Sequence, residues 1–271
     1  MRKLLCLILT ALLLCFAGCG QTSGSPGAAP ADPVEKTGSP ASEPEADTPD
    51  VPETPVSNGR TVVLDPGHQA GGDAGQEPIG PGASQMKAKV ATGTQSSFTG
   101  LAEYQLTLDI ALQLEQVLLE RGYTVYLTRR DNETTISNAE RAQYASQVGG
   151  EILVRLHANG STDPAANGAM TICQTPENPY QSCYDASHLL SQHLLDAYCA
   201  ATGFASQGIW ETDTMTGINW CSIPSTIVEM GYMTNESDDA QMADPAFQET
   251  MVQALADGID TYFAEADKTF A

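Results

Sequence analysis

Two short apolar runs each end on a histidine: Val62-Val63-Leu64-Asp65-Pro66-Gly67-His68 and Ile152-Leu153-Val154-Arg155-Leu156-His157. Strands of an open α/β sheet deliver their C-terminal residues to the edge where ligands bind. An imidazole parked there is placed to ligate a metal or to move a proton. A third run, Ile223 to Tyr232, carries Glu229 between Val228 and Met230. A carboxylate in such surroundings is costly unless paired or metal-linked, and burial raises its pKa towards the range of a general base. Imidazoles and carboxylates together are the donor set of a catalytic zinc site with its own base.

Each residue also has a plainer reading. His68 follows a Pro-Gly turn, a poor place for core packing. His157 tips an apolar strand and needs a polar partner, whether metal or hydrogen bond. Glu229 is either a base or the ion-pair partner of Arg155. Glu103 opens a helical stretch, where the helix dipole favours an acid for structural reasons alone. Asp65 either orients a histidine ring or caps a turn. His188 and His193 are five apart in a helical stretch, do not share a face well, and read as solvated or boundary residues. Cys183, near a helix start, opens the rival of a cysteine peptidase, but no coherent cysteine–histidine motif accompanies it. Gly80-Pro81-Gly82 lacks the strand-to-helix context of a phosphate loop.

The elements that must position these residues follow from periodicity. Thr61 to Leu64 predicts a strand, and 69–100 a long Gly-rich irregular stretch of the kind that is usually functional. A helix is expected from Leu101 to Arg121, stopped by Gly122, then a strand from Tyr123 to Thr128. Ser137 or Asn138 caps a helix running to Val148, and the strand to His157 follows. Gly168 to Cys173 predicts a strand, Cys183 to Thr202 a helix, Thr226 to Glu229 the last inner strand, and Pro245 to Phe263 the closing helix. The alternation gives an α/β fold: a single domain with a largely parallel central sheet flanked by helices on both faces.

The remaining chain is read from composition. Residues 1–19 form a signal peptide, with Met1-Arg2-Lys3, an apolar stretch from Leu4 to Ala17, and Gly18-Cys19. The segment before Cys19 resembles the bacterial lipobox, with Phe16 where Leu is usual, which implies lipidation of Cys19. Residues 20–59 are Gly, Ser, Ala, Pro and acid, with little to bury, and read as a disordered tether. Residues 60–271 are the folded domain. The formal net charge of −22 argues against nucleic acid as a partner and against capture of anionic wall polymers by bulk charge. Cys173, Cys183, Cys199 and Cys221 permit disulfides in an exported domain, the pair Cys173–Cys183 closing a short loop, with free thiols as the alternative.

Leu64-Asp65-Pro66-Gly67-His68, Glu103 at a helix start, Leu156-His157-Ala158-Asn159, and Val228-Glu229-Met230-Gly231-Tyr232-Met233-Thr234-Asn235 stand in the order that resembles the zinc-dependent N-acetylmuramoyl-L-alanine amidases. The resemblance runs from Thr61 to Phe263. It implies one Zn2+ per chain held by His68, Glu103 and His157, with Glu229 as the catalytic residue. It implies peptidoglycan as the substrate, cut between the lactyl group of muramic acid and the first stem alanine. Asn159 and Arg155 then become candidates for gripping peptide carbonyls or carboxylates. The expected protein is an exported monomer, held at the outer face of the cell membrane through Cys19, with its catalytic domain reaching the wall. The rivals are a zinc peptidase cutting within the stem peptide and a lipoprotein that binds wall fragments without cutting.

Overall fold

The branched apolar run Thr61-Val62-Val63-Leu64 forms the first strand of a six-stranded sheet in the computed structural model, which describes residues 56–270. The signal peptide, Cys19 and nearly all of the tether lie outside the described residues. In chain order the sheet contains β1 (Thr61–Pro66), β4 (Thr124–Leu127), β5 (Ile152–Asn159), β6 (Ala169–Cys173), β7 (Ser206–Glu211) and β8 (Ser225–Tyr232). Its spatial order is β4-β1-β5-β8-β6-β7. Strands β4, β1, β5 and β8 are mutually parallel, while β6 runs antiparallel to β8 and parallel to β7. The sheet is therefore largely parallel, as expected.

Its inner strands are buried on both sides, so their residues alternate between two apolar layers rather than between core and solvent. Val62, Leu64, Val154 and Leu156 face one layer with α1 (Glu103–Glu120), α3 (Tyr184–Thr202) and α6 (Pro245–Thr269). Val63 and Leu153 face the other, against Ala142 and Ala145 of α2 (Asn138–Gln147). Local signals set the helix ends. Ser137 caps α2 in a reciprocal capping box with Glu140, and Asp244 caps α6 ahead of Pro245. Gly203 ends α3 in the left-handed conformation.

The structure departs from the sequence reading in several places. The stretch 69–100 is not wholly irregular: β2 (Asp73–Pro78) and β3 (Met86–Val90) pair as an antiparallel hairpin outside the main sheet. Its residues are mostly exposed and polar or small, so no apolar alternation announces it. Strand β7 is an edge strand of the same kind, and α4 (Thr216–Asn219) and α5 (Glu236–Met242) are too short to show periodicity. The pair Cys173–Cys183 does not form; all four cysteines of the domain are free. Cys173 is buried at the end of β6, whereas the Cys183 sulfur accepts from Gln174 Nε2 at 3.2 Å and from Ser187 Oγ at 3.7 Å.

Asp65 neither orients a histidine nor caps a turn. It is fully buried between two arginines, with Oδ1 2.8 Å from Arg141 Nη1 and Oδ2 2.7 Å from Arg155 Nε, and it also accepts from the Thr128 hydroxyl. A buried carboxylate left alone would protonate. Burial raises its pKa, but the two guanidinium charges prevail and hold it well below the usual carboxylate range. This pairing also disposes of the ion pair between Arg155 and Glu229 that the sequence allowed.

Candidate metal centre

Three elements converge beyond the C-terminal ends of β1 and β5. His68 leaves β1 through Pro66-Gly67 and takes a left-handed backbone conformation at φ 59°, the single non-glycine residue to do so among those described. Such a conformation costs on the order of 1 kcal/mol and persists where surrounding contacts impose it. Here the ring is held by a hydrogen bond between Nδ1 and the carbonyl of Ala91 at 2.8 Å. With Nδ1 as the donor, Nε2 presents its lone pair inwards.

Inwards of His68 lie Glu103, at the first turn of α1, and His157, on β5. His68 Nε2 is 3.0 Å from Glu103 Oε1, His157 Nδ1 is 3.1 Å from the same oxygen, and the two ring nitrogens are 3.1 Å apart. These three residues could hold a metal ion. Three lone-pair atoms so close together repel one another unless a proton or a cation sits among them. Two imidazole nitrogens and one carboxylate oxygen suit zinc, whose tetrahedral ligands stand about 3.3 Å apart at ordinary bond lengths. The donor set therefore fits the ion in both chemistry and spacing.

Glu103 is fixed from behind. Its Oε2 accepts from the Thr94 amide at 2.7 Å and its Oε1 from the Ala158 amide at 3.1 Å. Burial raises its pKa, but hydrogen bonds from His157 and His68 outweigh that and hold it below the usual range. Burial also lowers the pKa of His157, opposed by Glu103, which favours the neutral ring a metal requires. Gly93 packs over the centre at φ +81°. A β-carbon there would lie 2.9 Å from His68 Cγ and 3.0 Å from Glu103 Oε2, so the position tolerates only glycine.

Glu229 lies on β8 in register with His157, on the adjacent parallel strand. Its Oε2 is buried without a hydrogen-bond partner. Burial pushes its pKa up to about 8, with a further rise from the Glu103 charge. A carboxyl poised near neutrality, unpaired and beside a potential metal centre, is equipped to take and return a proton.

These groups open into one cleft of about 540 Å³, whose walls include His68, Glu103, His157 and Glu229. Asn159 and Arg155 also line it. Asn159 carries its Oδ1 against the Gly160 amide, and Arg155 is held by Asp65 and by Asn138 Oδ1 at 2.8 Å. The other histidines are elsewhere: His188 faces Glu211 at 3.5 Å and His193 faces Glu265 at 3.0 Å. No histidine hydrogen-bonds to Cys183 among the described residues, which leaves no cysteine–histidine dyad.

The model of the N-acetylmuramoyl-L-alanine amidase family matches residues 62–261. This chain belongs to that amidase family. Among curated relatives of this amidase-family chain, LytC of Bacillus subtilis (strain 168) is 27% identical over 207 residues, covering 76% of this chain and 36% of LytC. The chain thus spans little more than a third of that relative. An N-acetylmuramoyl-L-alanine amidase of Mycobacterium tuberculosis is 28% identical over 213 residues, covering 76% of this chain and 87% of that protein. The crystal structure of Ami1, an N-acetylmuramyl-L-alanine amidase from Mycobacterium smegmatis, superposes with a TM-score of 0.70 at 26% identity, covering 78% of this chain and 99% of Ami1.

Sequence reasoning missed the residues around the amidase-family centre. Thr94 and Ala158 act through backbone amides, and Asn138 reaches Arg155 from a helix start. Lys87 lines the cleft from the hairpin. Ala158 stands in the Leu156-His157-Ala158-Asn159 motif and Asn138 at an expected helix start, but their partners lie in distant segments, while Thr94 and Lys87 fall in 69–100, where no apolar pattern marks them.

Proposed function

We propose that this chain hydrolyses the amide bond between N-acetylmuramic acid and the first L-alanine of peptidoglycan stem peptides, with one zinc ion per chain. The observation that carries this reading is the convergence of His68, Glu103 and His157 beside the unpartnered Glu229 carboxyl, in a chain of the amidase family.

His68, Glu103 and His157 would hold the ion. Bound there, zinc supplies the Lewis acidity that makes water nucleophilic near neutral pH and polarises a carbonyl. The rest falls to the protein. Glu229 accepts the proton of the attacking water and later gives it to the departing alanine nitrogen, a double task that suits a carboxyl with a raised pKa. Thr94 and Ala158 hold Glu103 so that its charge stays aimed at the centre. Asn159 and Arg155 would steady the peptide along the cleft.

The same reading makes residues 60–271 the catalytic domain, working as a monomer, and residues 20–59 a tether. A signal peptide at 1–19 would export the chain, and lipidation of Cys19 would hold it at the outer face of the membrane within reach of the wall. The order of basic, apolar and small residues before Cys19 supports it.

Digestion of purified peptidoglycan by the protein, with and without a chelator, followed by mass analysis, tests the proposal. Chelator-sensitive release of intact stem peptides with a free alanine amine is expected. Products cut within the stem would instead identify a zinc peptidase. An unreacted wall with zinc fully bound would leave a binding lipoprotein.

A further inference from the structure

Apart from Arg155, the cleft has one further basic residue, Lys87, and its surroundings single it out. The chain carries a net charge of −22, with 12 basic residues against 34 acidic ones. In the folded domain Arg60, Arg121, Arg130, Arg141 and Arg155 are all committed to carboxylates. Lys87 is not. Its cross-strand neighbour on the hairpin is Glu77, but Glu77 is buried and its Oε1 accepts the Ala139 amide at the start of α2, 3.2 Å away. The Lys87 ammonium instead donates to the carbonyl of Thr214 at 2.8 Å, bridging the hairpin and the segment before α4. An ammonium has three N–H donors, so two remain without a protein acceptor at a residue that lines the cleft.

Arg155 offers a second unspent edge. Its Nε donates to Asp65 and its Nη2 to Asn138, while Nη1 has no protein acceptor among the described residues. Nη1 packs against Gly217, where a β-carbon would stand 1.6 Å away, so only glycine at 217 leaves room for the guanidinium at the cleft wall. Asn138 joins the two cations structurally, since its Oδ1 accepts from Arg155 and its Nδ2 donates to the Lys89 carbonyl on the strand that carries Lys87. Asp65 is shared by Arg141 and Arg155, so this buried group keeps a surplus positive charge.

From this arrangement we infer that Lys87, backed by the free edge of Arg155, forms a carboxylate-binding subsite that selects stem peptides bearing a free carboxylate over those in which the same group is a carboxamide. The inference rests on the amidase reading and names a specificity residue for it. A strongly acidic protein repels an anionic peptide at long range, and an exposed, unpaired cation on the cleft wall offsets that repulsion locally.

Two soluble muropeptides that differ only in carboxylate against carboxamide on the stem supply the test, with kcat and KM measured for the wild type, K87M and K89M. Lys89 removes the same charge from the same hairpin without lining the cleft. The wild type should favour the carboxylate form. K87M should lose roughly tenfold in kcat/KM on that form through KM, leave the carboxamide form unchanged, and so erase the preference. K89M should keep it. Equal slowing of K87M on both substrates would reduce Lys87 to a structural strap and overturn the subsite, as would a wild type that does not discriminate. Absence of release from either substrate by the wild type would overturn the amidase reading itself, and the subsite with it.

Discussion

His157 and Glu229 are register partners on the adjacent parallel strands β5 and β8. One strand therefore delivers a candidate ligand and its neighbour a candidate base to the same sheet edge, with separation set by backbone pairing. The two roles separate on substitution. Glu229→Gln keeps the shape and should lower turnover by about 10²–10⁴-fold while bound zinc, measured by elemental analysis, stays at one per chain. His157→Ala and Glu103→Ala should lose the metal. Loss of zinc from Glu229→Gln would make Glu229 a ligand.

The same carboxyl burdens the fold at high pH. Its pKa in the metal-free protein is raised to about 8, so between the ordinary glutamate value and 8 the folded state binds more protons than the unfolded state. Stability from this group is complete in acid and declines as pH rises through that window. Glu229→Gln should raise the Tm of the metal-free protein at pH 8 and change it little at pH 4. Thermal unfolding of both forms at the two pH values checks this.

Asp65 carries the opposite dependence. Its folded pKa is depressed by Arg141 and Arg155, so its contribution is present above the unfolded value of about 3.9 and is lost as pH falls below it. Asp65→Asn leaves two buried guanidinium groups short of a counter-charge and should cost about 3–5 kcal/mol in denaturant unfolding at pH 7.

Gly93 is expected to report on the metal centre without contributing a ligand. Gly93→Ala adds a β-carbon against His68 and Glu103 at a positive φ. It should weaken zinc binding at least tenfold by competition with a fluorescent chelator. The circular dichroism of the domain should be unchanged.

The cysteines allow a simple check. Cys173, Cys183, Cys199 and Cys221 are unpaired, so a reductant should leave the Tm of the domain where it was. Denatured, alkylated protein should carry a label on each of them.

Sequence alone determined the layers of this fold and marked most of the residues of its candidate site. Apolar runs too short for helices marked β1, β5 and β8, and the polar residues interrupting or ending those runs, His68, His157 and Glu229, stood out because such neighbours make a polar group costly. These are local signals, carried by a few consecutive residues. Glu103 was legible only through the resemblance to a family, since an acid in a first helical turn has a sufficient local explanation. Tertiary structure decided what depends on distant segments meeting. It gave Asp65 to Arg141 and Arg155 rather than to a histidine, left Cys173 and Cys183 apart, and folded part of 69–100 into a hairpin that hangs Lys87 over the cleft. Strand order and register bring such partners together, and no residue's own neighbours in the chain encode which distant group will fill its hydrogen bonds.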